Sequence, residues 1–185
     1  MDIKKGDTLL GLYRVESDPI YGGMGVVYHV HSIDENIGLA MKQGLVRYGA
    51  EKNKEMFDRE CKMWTSLGIH PNIVRLHNVC EIDGIPSIFF EWIDGGSVSD
   101  LMKKNGGKLS IATASHILLQ ILDGLDYIHH VNLTVLLNDG STCSATGVVH
   151  RDVKPSNFLL SDTSNHPVAK LTGFDLAKKF SKQRK

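Results

Sequence analysis

The sequence predicts an α+β chain: an antiparallel β-sheet carrying one helix, followed by a mainly helical second half. Three observations predict it. Short apolar runs punctuated by glycine fill most of the first ninety residues, the signature of strands joined by tight turns. Within them, Phe57, Cys61, Trp64 and Leu67 recur at helical spacing. Beyond a Gly95-Gly96 break, Ile111, Ala114, Leu118, Ile121, Leu125 and Ile128 form a longer stripe of the same period.

Taken in order, residues 13–20 read as a strand, Gly22, Gly23 and Gly25 punctuate it, and residues 26–30 resume it. Residues 36–42 form a third strand. Residues 51–67 read as a helix with Glu60 on its apolar face. An acid there needs a partner, because an unpaired buried charge is costly, unless it sits at the edge of the face and reaches water. Residues 74–82 and 85–92 are two more strands, turning at Asp83-Gly84. Residues 97–104 form a short helix, and Ser110 can cap the longer one. Residues 133–137, followed by Asn138-Asp139-Gly140, resemble a hairpin arm. From Gly147 on, short strands alternate with loops rich in His, Asp, Asn and Lys.

The chain has 185 residues, 42% of them apolar, which is enough to build a core. Lys and Arg total 21, as do Asp and Glu, so no global field points to nucleic acid or an anionic membrane. No stretch approaches the roughly 20 apolar residues of a membrane span, and no signal peptide follows Met1. Cys61, Cys80 and Cys143 are an odd set without paired spacing, so a reducing cytoplasm is expected. His77 and Cys80 lack a second ligand pair and read as structural rather than zinc-binding. The basic run Lys178, Lys179, Lys182, Arg184 and Lys185 reads as a solvated tail.

Three constellations carry chemistry. Gly22-Gly23-Met24-Gly25, set between strands, lets backbone approach a ligand closely, although a glycine-rich hairpin alone is commoner as a plain turn. Leu39-Ala40-Met41-Lys42 ends a strand on an isolated lysine. Glu60, eighteen residues on, supplies a counter-charge that would hold its ammonium within reach of phosphate oxygens. His150-Arg151-Asp152-Val153-Lys154-Pro155-Ser156-Asn157 is the densest cluster. Its Asp can orient a hydroxyl nucleophile and take its proton. Lys154 can neutralise a transferring phosphoryl group, and the Asn157 amide oxygen suits a magnesium ion.

These motifs, in this order, resemble eukaryotic-like protein kinases, and the Gly22–Tyr28 stretch resembles the bacterial serine/threonine branch. Lys154 two residues after Asp152 resembles the serine/threonine version of the catalytic loop. His70-Pro71-Asn72-Ile73-Val74 is similar to that family's link from helix to strand. The resemblance implies a protein-kinase-like fold: an N-terminal lobe over residues 6–94, an antiparallel sheet with the family's αC helix, then a partial, mainly helical C-terminal lobe over 95–185. It implies ATP and Mg2+ as cofactors and transfer of the γ-phosphoryl group to a protein Ser or Thr. Ile20, Gly22, Gly23, Gly25, Val27 and Ala40 would frame ATP, and Lys42, paired with Glu60, would hold its α- and β-phosphates. Phe90 would stand beside the adenine pocket, with the Glu91 carbonyl and Ile93 N–H on the adenine edge. Asp152 would be the catalytic base, with Lys154 assisting, and Asn157 would bind magnesium.

The chain departs from that family at four points. Ile20 replaces the first loop glycine. Gly173-Phe174-Asp175 stands where the family carries Asp-Phe-Gly, so the metal-binding Asp is replaced by Gly173. Asp175 is the remaining candidate metal ligand. In an extended segment it lies ~6–7 Å farther on, whereas magnesium requires ligands at ~2.0–2.1 Å, so only a local bulge would bring it in. The chain ends at Lys185, before the family's activation segment, which predicts an apolar face on the 111–128 helix that a partner chain would cover. Residues 131–147 are expected to be an insertion. Three readings follow: a serine/threonine kinase domain, a pseudokinase-like nucleotide-binding or interaction module, and a non-functional kinase gene fragment.

Overall fold

A computed structural model describes residues 3–22, 25–44, 57, 61–136, 142–161 and 166–179. They fall into two compact units, one of Met1–Lys62 with Arg75–Trp92 and one of Met63–Val74 with Ile93–Lys185.

The first unit is a seven-stranded antiparallel sheet. Its order is β1 (Thr8–Leu9), β2 (Tyr13–Val15), β4 (Gly25–Ser32), β5 (Ile37–Gly44), β7 (Ile85–Glu91) and β6 (Leu76–Ile82), with β3 (Ile20–Tyr21) paired to β4. The expected strand over 13–20 is two strands. Pro19 lacks an N–H and Ser17 turns its hydroxyl to accept from the His29 N–H at 3.1 Å, so pairing lapses between Val15 and Ile20. Side chains alternate along β4 and β5. Val26, Tyr28, Val30, Leu39, Met41 and Phe89 enter one core with Leu9, Tyr13 and Val15. Tyr13 stacks on Phe89 with centroids 4.3 Å apart.

Helix α1 is described over residues 61–67, with Phe57 helical as well; residues up to Lys62 count with the first unit and those from Met63 with the second. Phe57, Trp64 and Leu67 are buried, as the spacing predicts, and Met63 joins them. Helix α2 (Val98–Lys104) opens on a capping box, with Ser97 and Asp100 each accepting from the other's backbone. Helix α3 (Ile111–His130) is capped by Ser110, which accepts from the Thr113 N–H.

Of the expected stripe on α3, Ile121 and Ile128 are buried and Ala114 and Leu125 half-buried, while Ile117 and Gly124 join the buried face. Ile111 and Leu118 are exposed, and so are Leu119 and Leu122. Gly124 fixes the rotation. A Cβ there would lie 2.9 Å from the Asn72 carbonyl oxygen, so this face of the helix lies directly on the 70–74 segment.

Short pairs complete the second unit. These are β8 (Asn132–Leu136) with β9 (Thr142–Thr146), the hairpin arm; β10 (Val148–Val149) with β13 (Lys178–Lys179); and β11 (Phe158–Leu160) with β12 (Ala169–Leu171).

Candidate functional site

The first unit presents one sheet face built by strand register. Val27 is paired with Lys42 and with Ile20, Ala40 with Phe90, and Lys42 with Ile88. Cross-strand partners point the same way, so Ile20, Val27, Ala40, Lys42 and Phe90 share the face opposite the core. Phe90 is buried, and Ala40, directly across from it, is small enough to leave room for a flat ring beside it.

Gly25 begins this face. A Cβ on it would lie 2.6 Å from the Gln43 carbonyl oxygen and 3.3 Å from Lys42 Cε. Any larger residue would therefore push on the lysine stem, and glycine lets the loop strand close over it. The Gly22 N–H donates to the Gly25 carbonyl at 2.8 Å, which closes the turn. Gly23 lies outside the described residues, and so does Glu60, the expected partner of Lys42. At the end of β7, the Glu91 N–H donates to the Arg75 carbonyl at 3.0 Å, and its carboxylate accepts from the Arg75 N–H at 2.7 Å. Ile93, the other expected adenine contact, is half-buried at the start of the second unit.

The second unit carries the loop between β10 and β11. His150 is its anchor, buried to 1% exposure. Its Nε2 lies 2.8 Å from the Thr172 carbonyl and its Nδ1 accepts from the Asp152 N–H at 3.2 Å, so the neutral ring with hydrogen on Nε2 satisfies both. Burial holds its pKa below the ordinary value, against the opposing pull of the Thr172 carbonyl and the Asp152 and Asp175 carboxylates. Phe174 packs edge-on against both His150 and Trp64, with centroids 4.6 and 4.7 Å away.

Three loop side chains converge. Lys154 Nζ lies 2.7 Å from Asp152 Oδ2. The Asn157 amide donates to the Asp152 carbonyl at 2.7 Å and to the same carboxylate oxygen at 2.9 Å. The Lys154 bond first, and the Asn157 bond after it, hold the Asp152 carboxyl below the usual carboxylate range. The result is a half-exposed carboxylate beside an ammonium, suited to orienting a hydroxyl and countering charge on the group it attacks.

Asp175 lies in the 3-10 turn Phe174–Leu176, which Gly173 enters in the left-handed region with φ of 81°. A Cβ on Gly173 would lie 2.7 Å from both Cγ and Nδ2 of Asn157 and 2.9 Å from Oδ1. The amide thus fills the space that a side chain at 173 would use. These residues do not fit the magnesium site of the family pattern. The first carboxylate is absent, and no cluster of three His, Cys, Asp or Glu suited to an ion occurs among the described residues.

Sequence reasoning missed the polar knot behind the loop. Asn72 donates to the Ala169 carbonyl at 2.9 Å and to Gln120 Oε1 at 3.2 Å, and its own carbonyl accepts from the Leu171 N–H at 2.8 Å. Gln120 Oε1 also accepts from the Ala169 N–H at 3.0 Å. This knot ties α3 to β12, the strand that delivers Thr172 and Gly173. The only advance signal is a buried-side asparagine in the His70–Val74 segment. No described helix is long and apolar enough to cross a membrane.

The protein kinase domain family matches residues 21–185. Serine/threonine-protein kinase PknJ of Mycobacterium tuberculosis is 30% identical over 165 residues, covering 86% of this chain and 24% of that protein. Serine/threonine-protein kinase atg1 of Dictyostelium discoideum is 30% identical over 175 residues, covering 91% and 24%. Probable serine/threonine-protein kinase pknA2 of Bifidobacterium longum is 28% identical over 174 residues, covering 91% and 20%. The chain spans a quarter or less of the length of these relatives.

Proposed function

This chain belongs to the protein kinase domain family, and from that premise we propose that it binds ATP and presents the γ-phosphoryl group to a Ser or Thr hydroxyl of a protein. The observation that carries the reading is the 2.7 Å pairing of Asp152 with Lys154, with Asn157 bracing the same carboxylate. The adenine lies along the face of Val27, Ala40 and Phe90, with its edge on the Glu91 carbonyl and the Ile93 N–H. Ile20, Gly22, Gly23 and Gly25 cover the phosphates, and Lys42, paired with Glu60, meets the α- and β-phosphate oxygens. Asp152 orients the hydroxyl and accepts its proton as the new O–P bond forms. The bond between γ-phosphorus and the β-phosphate oxygen breaks, and ADP leaves. Lys154 balances the charge on the moving phosphoryl oxygens. Magnesium would be held by Asn157, the position the resemblance gives it, with Asp175 joining only through a local bulge in place of the family's carboxylate at 173.

Substrate and surroundings follow the same reading. The partner is a hydroxyl-bearing protein. The exposed Ile111, Leu118, Leu119 and Leu122 support cover of α3 by another polypeptide surface. A cytoplasmic setting is supported by an odd number of cysteines without paired spacing in the sequence.

A second reading is favoured by Gly173, which supplies no carboxylate where the family pattern has one and where the Asn157 amide fills the space of a side chain: a pseudokinase-like module that holds nucleotide without transferring phosphate. Transfer of labelled phosphate from ATP to a generic protein, by wild type and by Asp152→Asn, separates the two. Transfer abolished in the variant supports catalysis. Nucleotide binding without transfer in wild type supports the second reading.

A further inference from the structure

We propose that a polar cavity at one end of the seven-stranded sheet is a binding site for a guanidinium cation, the head group of an arginine side chain or of a free guanidino compound. The cavity measures about 300 Å3 and is lined by residues of β2, the β4–β5 turn and β6, all within the first unit. It is independent of the nucleotide reading, since its strand residues Tyr13 and Ser32 belong to the buried face of the sheet and not to the face carrying Lys42.

Ser32 carries the argument. The core-facing row of β4 runs Val26, Tyr28, Val30, Ser32, so a bare hydroxyl ends a row of large side chains. Ser32 is 5% exposed and lines the cavity. Buried polar groups nearly always have a hydrogen-bond partner, but among the described residues this hydroxyl has none. A ligand in the cavity can reach it.

The rest of the wall is rich in acceptors. Asp34 and Glu35 stand in the β4–β5 turn. The turn is pinned in place: the Ile33 N–H donates to the Leu12 carbonyl at 2.8 Å, and His31 Nε2 lies 3.1 Å from Asn36 Oδ1. Glu35 Oε2 lies 2.7 Å from His77 Nε2, so the imidazole fixes one oxygen of that carboxylate and leaves the other. Asp34 has no cation beside it among the described residues. Two carboxylates and a hydroxyl against one imidazole favour a cationic ligand.

The spread of these groups selects the kind of cation. Among the described residues no three His, Cys, Asp or Glu converge as a metal ion requires. An ammonium is compact and strongly hydrated. A guanidinium carries five N–H donors in a rigid plane, is more weakly hydrated, and pairs with carboxylates through two parallel bonds. It can therefore meet Asp34 and the Ser32 hydroxyl together. Leu12, on the same wall and 39% exposed, offers apolar surface to the methylene stem behind the head group. Small-molecule sites measure about 300–1,000 Å3, and this one is at the small end, suited to one side chain.

The test is calorimetric titration of the whole chain with Nα-acetyl-arginine N-methylamide, its lysine counterpart and free L-arginine. The expected result is saturable binding of the capped arginine, at least about threefold tighter than the capped lysine and weakened at least about threefold by Asp34→Asn and by Ser32→Ala. Ser32→Ala removes a hydroxyl that has no partner, so it keeps the fold. In wild type, which needs no variant to fold, the amide shifts caused by the capped arginine are confined to residues 32–36 and the neighbouring Leu12, Tyr13, His77 and Asn78. Tighter binding of the capped form than of L-arginine assigns the ligand to a polypeptide; the reverse order assigns it to a free guanidino compound. Absence of saturable binding, a smaller preference over lysine, unchanged affinity in either folded variant, or shifts centred elsewhere overturns the proposal.

Discussion

The Asn157 amide lies over Gly173 so closely that a Cβ at that position would be 2.7 Å from its nitrogen. Two constraints coincide there, a left-handed backbone and a filled side-chain space, and each alone selects glycine. Gly173→Ala is expected to destabilise the chain by about 1–3 kcal/mol in urea unfolding. Asn157→Gly in the same background relieves the steric part and recovers a fraction of the loss. Equal stability of Gly173→Ala and wild type would show that the turn relaxes freely.

In the sheet unit, Gly25 stands in a comparable relation to Lys42. Gly25→Val drives carbon into the Gln43 carbonyl and the lysine stem. Nucleotide affinity is expected to fall by about tenfold or more, about 1.4 kcal/mol, with the sheet otherwise intact by circular dichroism.

Asp152→Asn keeps the shape of the side chain but removes the charge that Lys154 pairs with. Phosphoryl transfer is expected to fall about 100- to 10,000-fold with little change in nucleotide affinity, because the lost group acts on the hydroxyl rather than on ATP.

Removing the polar knot tests the scaffold. Asn72→Ala leaves the Ala169 carbonyl without its side-chain donor inside the protein. A loss of about 1–3 kcal/mol is expected by chemical denaturation.

The pH dependence of stability follows from His150. Its ordinary value is 6.5 and burial lowers it in the folded state. Between the two values the unfolded chain binds the proton and the folded chain does not, so stability is full above the ordinary value and declines as pH falls below it. His70, which is stacked on Tyr127 and accepts from the Asn72 N–H, is lowered by burial in the same direction. Asp152 is depressed, so its contribution is retained through this window and is lost only as pH falls through the carboxylate range. The melting temperature is therefore expected to drop as pH passes from above to below the ordinary histidine value. His150→Gln flattens that slope, and an unchanged slope in this variant would count against a neutral buried imidazole.

Local rules made some of this architecture legible in the sequence. The family resemblance groups Val27, Ala40, Lys42 and Phe90, whose strand registers put them on one face, and helical spacing foretells the burial of Phe57, Trp64 and Leu67. On α3, Ile121 and Ile128 are buried as the spacing predicts, but Ile111 and Leu118 are exposed, because apolar residues occupy two adjacent faces. Which face is buried depends on Gly124 meeting the Asn72 carbonyl, a contact between residues 52 positions apart. The Asn72–Gln120–Ala169 knot was invisible for the same reason: a polar side chain looks alike in sequence whether it meets water or a distant carbonyl. Gly173 stood out as a substitution, but its contact with Asn157 requires the left-handed turn, and glycine alone does not announce that conformation.

The central claim, that this chain binds ATP through the sheet face carrying Lys42, is tested most directly by thermal unfolding with and without ATP, in wild type and Lys42→Ala. Binding to the folded state alone adds about 2.7 kcal/mol at a hundredfold excess over Kd. The expected result is a cooperative melt that rises with ATP in wild type and stays in place in Lys42→Ala. A cooperative wild-type melt that does not move at saturating ATP would contradict the claim.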